Sequence, residues 1–111
     1  MKYYMIVFNR KVDLEYKEFH ERLVTHEHVK RWWHYLRSCY LIGTDWSSEE
    51  LSDHFTTTAD ALGIPNTHLV MAVDLSDSQG MLTEKAWSWI QRNAKRQSGG
   101  KDQHGREGGR R

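Results

Sequence analysis

Residues 30–37 hold the side chains best suited to chemistry in this 111-residue chain. The segment reads Lys-Arg-Trp-Trp-His-Tyr-Leu-Arg, so cationic groups and flat aromatic rings occur side by side. Lys and Arg neutralise phosphates, and an exposed Trp or Tyr stacks on an unpaired base for about 1–3 kcal/mol. The pattern predicts a nucleic-acid-binding surface. The alternative is a strand whose aromatics pack in the core and in a dimer interface, while its charges keep a sheet edge soluble.

A strand through this segment divides it between two faces, because alternate side chains point in opposite directions. One face carries Trp32, His34 and Leu36, and we expect Trp32 and Leu36 to hold the sheet to its helices. The other face, with the neighbouring cations, supplies the candidate nucleic-acid-binding residues: Lys30, Arg31, Trp33, Tyr35 and Arg37.

Two further groups of side chains could support chemistry. His26, His28 and His34 could hold a metal, but they match no recognised zinc spacing, and solvated histidines at a helix end are favoured. Cys39 is the only cysteine and lies in an apolar segment without an evident base, which is typical of a small core residue. The sequence therefore predicts no catalytic residue, no metal ligand and no cofactor.

Charge is distributed unevenly along the chain. Residues 1–93 carry 10 Lys and Arg against 13 Asp and Glu, a net charge of −3, whereas residues 94–111 carry 6 against 2, a net charge of +4. An acidic body gives no general attraction to nucleic acid, so any binding must be local.

Cysteine content and hydropathy bear on location. A single cysteine excludes an intrachain disulfide framework and is typical of a reducing compartment. The apolar start is too short for a signal-peptide core, and no run approaches the roughly 18 residues that span a membrane. We expect a cytoplasmic protein without a membrane partner.

Periodicity predicts the elements that position residues 30–37. Residues 3–8 are continuously apolar or aromatic and predict a central strand. Residues 14–25, with His20 on the apolar stripe, predict an amphipathic helix. Residues 38–44 predict a second strand. Residues 31–36 are either its hairpin partner, which we favour, or a continuation of the first helix.

The second half of the chain contains clear start and stop signals. Ser47 and Glu50 form a capping-box pattern that predicts the start of a second helix, and Gly63 predicts its end. Residues 68–75 predict another buried strand, and Thr83 can cap a short final helix. Glycines among charges predict a disordered basic tail over residues 94–111.

The order strand, helix, hairpin, helix and strand predicts an α+β fold of one domain over residues 1–93. Its expected architecture is a ferredoxin-like sandwich, an antiparallel sheet with two helices on one face, followed by an extra C-terminal helix and the disordered tail.

Two segments carry a family resemblance. Residues 32–44 read Trp-Trp-His-Tyr-Leu-Arg-Ser-Cys-Tyr-Leu-Ile-Gly-Thr, and residues 80–89 read Gly-Met-Leu-Thr-Glu-Lys-Ala-Trp-Ser-Trp. With the apolar first strand, they resemble small bacterial and phage proteins labelled SinR-like over about residues 1–93. The topology and the Arg37-Ser38 junction are more remotely similar to the ferredoxin-like CRISPR adaptation subunit and related toxin-type ribonucleases. That resemblance implies a homodimer that binds nucleic acid and, in some members, a metal-dependent nuclease.

One position departs from the wider superfamily. The residue that ends the first strand there is commonly an Asp that helps to hold a divalent metal across the dimer, and here it is Asn9. An amide is a weaker ligand for Mg²⁺ and cannot act as a general base. Asp13 is nearby but lies in the loop, so an intact nuclease site is not expected.

These observations lead to three functional hypotheses. The first is a non-enzymatic homodimer that binds nucleic acid, or a nucleic-acid-handling complex, through residues 30–37. The second is a metal-dependent endonuclease related to the CRISPR adaptation subunit, which would use Mg²⁺ or Mn²⁺. The third is a phage inhibitor of a host protein acting by direct contact, for which the acidic body is favourable.

Overall fold

The computed structural model describes residues 1–102, with side chains to residue 99. It contains four strands, β1 (Lys2–Phe8), β2 (Val29–Leu36), β3 (Cys39–Thr44) and β4 (His68–Ala72), and three helices, α1 (Lys17–Val24), α2 (Ser48–Ala61) and α3 (Glu84–Asp102). The chain forms two compact units, Lys2–Ala72 and the segment that begins at Val73.

The first unit is an antiparallel sheet in the order β2-β3-β1-β4. The sheet order and the chain order β1-α1-β2-β3-α2-β4 together define the ferredoxin-like arrangement and confirm the predicted fold class. Residues 31–36 form a strand, so the hairpin is confirmed and the helical alternative is wrong.

One face of this sheet and both helices share a single core. β1 contributes alternate residues because successive strand side chains point to opposite faces. The ring of Phe8 lies 5.5 Å from the ring of Phe55 on α2 and 5.9 Å from that of Tyr40 on β3, centroid to centroid. Phe19 and Leu23 place the apolar stripe of α1 in the same core. Both helices therefore cover the same face, as predicted.

The local signals around α2 are confirmed. The Ser47 side chain accepts a hydrogen bond from the Glu50 backbone N–H, and the Glu50 carboxylate accepts one from the Ser47 N–H. The helix ends before Gly63, whose φ of 68° belongs to the left-handed region that glycine adopts without strain.

The pairing of β2 with β3 shifts register between Val29 and Arg31, and again between Trp33 and Leu36. The first shift sets the sheet face on which Trp32 lies. Val29 pairs with Thr44, and Arg31 pairs with Gly43. The partners are consecutive on β3, but one residue of β2 lies between Val29 and Arg31. Lys30 is thus the extra residue of a β-bulge. β2 is an edge strand of the sheet, and of its residues only Val29 and Trp33 are buried.

The second unit is organised by α3. The Thr83 hydroxyl accepts a hydrogen bond from the Ala86 N–H, so the predicted cap is confirmed. The Gln97 side-chain oxygen accepts a hydrogen bond from the Leu75 N–H at 2.9 Å, and its side-chain nitrogen donates one to the Val73 carbonyl at 2.8 Å.

The predicted disordered tail differs from the structure at its start. Residues 94–102 continue α3, which extends past Asn93 to Asp102, and Gln97 explains why this stretch is ordered despite its polar composition. The rest of that prediction, residues 103–111, lies outside the described residues. No helix within the described chain is long and apolar enough to cross a membrane.

Candidate functional site

The two neighbouring tryptophans of β2 have opposite environments. Trp33 is 3% exposed, whereas Trp32 is 42% exposed. Trp33 pairs with Leu41 and Trp32 with Ile42, so the two indoles lie on opposite faces of the sheet, as alternation predicts. The predicted exposures are reversed: Trp33 is not available as a stacking platform, and Trp32 is. A register shift between Trp33 and Leu36 pairs Leu36 with Cys39, on the face of Trp33, so the prediction that Leu36 holds the sheet to its helices is wrong.

The other candidate residues of this segment are accessible. Lys30 and Arg37 are exposed, and Arg31 is half-buried with its Nη1 donating to the Lys30 carbonyl at 2.8 Å. Tyr35 is exposed, with its ring centroid 5.4 Å from that of Trp33. Tyr35 therefore lies on the face opposite to Trp32. The predicted set does not form one continuous binding face, because its exposed and buried aromatics are mixed.

The structure instead brings together side chains from the β1 end, α1, β2 and β3. We call this group the β2-edge site and define it as Arg10, His20, Trp32, His34, Arg37 and Tyr40. All six residues belong to the unit formed by Lys2–Ala72.

Tyr40 is the anchor of the β2-edge site. Its side chain is 1% exposed and belongs to the core. The His34 ring stacks on it with a centroid distance of 3.9 Å and an interplanar angle of 6°. The Tyr40 hydroxyl lies 2.8 Å from His20 Nδ1. One buried phenol thus fixes the positions of two imidazoles.

The backbone determines the tautomer of His34. Its Nδ1 lies 2.9 Å from the Cys39 carbonyl oxygen. Because a carbonyl only accepts, Nδ1 carries the hydrogen, and Nε2 of neutral His34 carries the lone pair. His20 and His34 are both half-buried, and within the described residues neither Nε2 atom has a hydrogen-bond partner.

Both imidazoles favour the neutral form. Burial lowers the pKa of His20, and Arg10 lowers it further, while Glu21 opposes the shift. Burial also lowers the pKa of His34; the hydrogen bond to Cys39 opposes this, and His20, Arg10 and Arg37 add to it. Burial raises the pKa of Tyr40 well above its ordinary value, so its phenol stays neutral.

The cations of this site are not neutralised by acids. Arg10 donates from Nη1 to the Arg37 carbonyl at 3.0 Å, and its guanidinium lies 4.3 Å from the centre of the Tyr16 ring. Within residues 1–99, neither Arg10 nor Arg37 pairs with a carboxylate. Two guanidinium groups therefore remain available to an anion next to the imidazoles.

Trp32 completes the site at the sheet edge. Its ring meets that of His20 edge-on, with centroids 4.9 Å apart. The ring is partly fixed by this contact while a large part of it stays in solvent. An exposed, oriented indole can stack on an unpaired base of a strand whose phosphates bind arginines elsewhere in the site.

A second histidine group lies on the same unit. We call it the Trp46 cluster and define it as His26, His28, Trp46 and His54. The His26 ring lies 4.7 Å from the Trp46 ring and 4.9 Å from the His54 ring. Acidic residues border the cluster: His28 Nδ1 lies 2.9 Å from Asp45 Oδ1, and Glu50 and Asp53 line the groove beside Trp46.

The three histidines considered as a possible metal cluster, His26, His28 and His34, do not all lie together. His26 and His28 are neighbours, with ring centroids 5.7 Å apart, but His34 belongs to the β2-edge site. In the part of the chain that the structure describes, no group of three or more His, Cys, Asp and Glu side chains could hold a metal. Asn9 is exposed, and its backbone N–H donates to the Thr67 carbonyl.

Two other residues resemble nucleophiles. Ser52 Oγ lies 2.7 Å from His68 Nε2, and His68 Nδ1 lies 2.6 Å from the Asn66 carbonyl. Ser52 is inside α2, where backbone N–H groups are used by the helix and cannot form an oxyanion hole. This pair ties α2 to β4. Burial raises the pKa of Cys39, which keeps its thiol protonated and unreactive.

Sequence reasoning missed Arg10, His20 and Tyr40. One signal was present for His20, a titratable residue on the apolar stripe of α1. Arg10 and Tyr40 have no such signal, because their proximity depends on how β1, α1 and β3 pack together.

Comparison with models of known protein families, with curated proteins and with solved structures returned no match. The resemblance to the SinR-like proteins and to the CRISPR adaptation subunit stays a prediction.

Proposed function

We propose that this protein is a nucleic-acid-binding module that holds a single-stranded segment at the β2-edge site. Two observations carry this proposal: the exposed Trp32 ring packs against His20, and Arg10 and Arg37, which have no carboxylate partner within residues 1–99, lie close enough to the imidazoles of the same site to lower their pKa values. Base stacking on an aromatic ring tolerates any sequence, and arginines bind the backbone phosphates. The proposal keeps Arg37, Lys30 and Arg31 from the predicted set and replaces Trp33 with Trp32.

Local charge supports the same choice. The chain up to Asn93 is acidic, but the β2-edge site presents Arg10 and Arg37, with Lys30 and Arg31 on the same strand or its bulge. A cationic patch on an acidic body restricts an anionic ligand to one place. Single strands suit the site because a stacked base must be unpaired.

The test compares two exposed aromatics of one strand. Trp32→Ala removes the ring on the proposed site, and Tyr35→Ala removes a ring of similar exposure on the opposite face. Binding of a fluorescein-labelled single-stranded oligonucleotide is followed by anisotropy. Trp32→Ala is expected to weaken binding by about 1–3 kcal/mol, with Tyr35→Ala close to wild type. Equal losses, or loss only with Tyr35→Ala, would place binding on the other face.

We also propose that the module acts as a homodimer. An exposed apolar row on the sheet face opposite to α1 and α2 supports this: Leu36 and Val7 both pair with Cys39, and Val7 pairs with Leu69. Exposed apolar patches of this kind are typical of protein contacts. Sedimentation at several concentrations measures the state, and a monomer throughout contradicts the proposal. The metal-dependent nuclease and the host-protein inhibitor stay predictions.

A further inference from the structure

We propose that the β2-edge site cleaves RNA without a metal, by transferring a phosphate from the 5′ oxygen of one nucleotide to the 2′ oxygen of its neighbour. This inference rests on the proposed function, because the strand must first bind at Trp32. The observations that carry it are two half-buried imidazoles held by one buried tyrosine, each with an Nε2 that has no hydrogen bond among the described residues, and two nearby arginines without a carboxylate partner within residues 1–99.

The two imidazoles are close enough to act on one phosphate. The ring centroids of His20 and His34 lie 5.6 Å apart, with planes inclined by 27°. General acid–base catalysis needs each group within hydrogen-bond reach of the proton that it moves. The gap between the rings is too narrow for a phosphate, so a phosphodiester would bind at the ring edges, with the neighbouring ribose 2′ hydroxyl next to one imidazole and its own 5′ oxygen next to the other.

The hydrogen bonds assign the base. His34 Nδ1–H donates to the Cys39 carbonyl, so Nε2 of the neutral ring is the unprotonated atom. In the proposed step, His34 Nε2 takes the proton of the 2′ hydroxyl while the 2′ oxygen forms its bond to phosphorus. The backbone carbonyl then stabilises the resulting imidazolium by accepting from Nδ1–H.

His20 is the acid. In its protonated form, Nδ1–H donates to the neutral Tyr40 hydroxyl and Nε2–H is free for the substrate. As the bond from phosphorus to the 5′ oxygen breaks, His20 Nε2 gives its proton to that oxygen. The products are a 2′,3′-cyclic phosphate and a 5′ hydroxyl, and proton exchange with solvent restores both imidazoles.

The surrounding groups have distinct tasks. Arg10 and Arg37 stabilise the negative charge on the two non-bridging oxygens in the transition state. Trp32 holds a base next to the scissile phosphate. Tyr40 is a positioning residue, because it holds the two imidazoles from the core side and does not itself contact the substrate. The step requires a 2′ hydroxyl, so the substrate is RNA and DNA is bound without being cut.

Two substrates of the same sequence test the inference with the full-length protein. One is a short single-stranded RNA labelled at its 5′ end, and the other is its 2′-deoxy counterpart; both are incubated with EDTA present. We expect both to bind and only the RNA to be cleaved, with a 2′,3′-cyclic phosphate identified by mass spectrometry. His20→Gln and His34→Gln are each expected to lower the rate at least about 100-fold. The exposed His26→Asn serves as the matched control and should keep full activity.

The pH profile and Tyr40→Phe sharpen the assignment. Because the pKa values of both imidazoles lie below 6.5, the rate is expected to be bell-shaped with its maximum on the acidic side of pH 6.5. Tyr40→Phe keeps the ring but removes the acceptor of protonated His20. It should lower kcat with little change in KM and move the alkaline limb to lower pH.

The outcomes separate the inference from the proposed function. RNA that binds but stays intact overturns cleavage and leaves binding in place. If neither oligonucleotide binds, both proposals fail. Cleavage that requires Mg²⁺, that also cuts the 2′-deoxy strand, or that persists in identically purified His20→Gln and His34→Gln overturns the assigned mechanism.

Discussion

The β2-edge site and the Trp46 cluster are built from similar residues but differ in the charges around them. Each combines histidine rings with one tryptophan on the same compact unit. Arg10 and Arg37 border the β2-edge site, whereas Asp45, Glu50 and Asp53 border the Trp46 cluster. Arginines favour a phosphate and carboxylates repel it. Residue type alone therefore does not identify the nucleic-acid site; the charge of the neighbouring elements does.

The two groups also differ in the burial of their central aromatic ring. Tyr40 is part of the core, whereas Trp46 is partly buried and packs against the edge of that core. A site on a buried anchor keeps its geometry, which acid–base chemistry requires. The Trp46 cluster lacks such an anchor among the described contacts, and it lies in an open groove.

The largest expected effect concerns these anchors. Tyr40→Ala should lower the free energy of unfolding by about 3–5 kcal/mol, because it leaves a cavity in the core. Trp46→Ala should cost less than about 3 kcal/mol, since Trp46 is only partly buried and packs against the core from outside it. Urea unfolding followed by circular dichroism measures both. Equal losses would remove the distinction between a core anchor and a rim residue.

The next largest effect is expected on the salt dependence of oligonucleotide binding when the charges around the two groups are removed. Arg10→Ala combined with Arg37→Ala should reduce the slope of log affinity against log salt by about 1.4, since each phosphate contact on a single strand contributes about 0.7. Asp45→Asn combined with Asp53→Asn changes the charge of the Trp46 cluster by two units in the opposite direction and should leave the slope unchanged, because the slope counts only contacts with the phosphates. Anisotropy titrations over a range of salt concentrations provide the measurement. A slope that responds equally to both double variants contradicts a local site.

A smaller effect is expected from pH. Burial lowers the pKa of His20 and His34 in one group and of His54 in the other. The unfolded chain therefore binds more protons than the folded one below pH 6.5, so stability falls as pH is lowered through the three reduced pKa values. Tm measured by calorimetry should decrease from pH 7 towards pH 5. His54→Gln and the pair His20→Gln with His34→Gln should each flatten part of this decrease; a Tm that does not vary with pH contradicts it.

The smallest effect is expected at the ion pair of the Trp46 cluster. Asp45 and His28 are both substantially exposed, and the hydrogen bond from His28 lowers the pKa of Asp45. Surface pairs of this kind contribute little to stability. Asp45→Asn should therefore leave the Tm at pH 7 and oligonucleotide binding unchanged. A clear loss of either would show that the two histidine groups are not functionally distinct.

Much of the fold could be read from local patterns because those patterns act over a few residues. The capping box at Ser47 and Glu50 and the stop at Gly63 are confirmed, since each depends on backbone groups within one turn. The polar stretch after Asn93 is an exception, because its composition predicted disorder and it is helical as far as Asp102. Its helical state depends on Gln97 contacts with residues more than twenty positions earlier, which composition does not reveal.

The candidate site could be predicted only in part. Alternation correctly separated Trp32 from Trp33, because the period of a strand is a property of the backbone. It did not determine which indole is exposed. That depends on β2 lying at the sheet edge and on the bulge at Lys30, and both follow from pairing with β3.

The sequence by itself determined the order of the elements, the ferredoxin-like class and the basic aromatic character of residues 30–37, since these follow from short-range periodicity and composition. Only the tertiary structure decided that Arg10, His20, His34 and Tyr40 meet beside Trp32. These residues come from β3, β2, α1 and the end of β1, and no local pattern encodes a distance between side chains that are far apart in the chain.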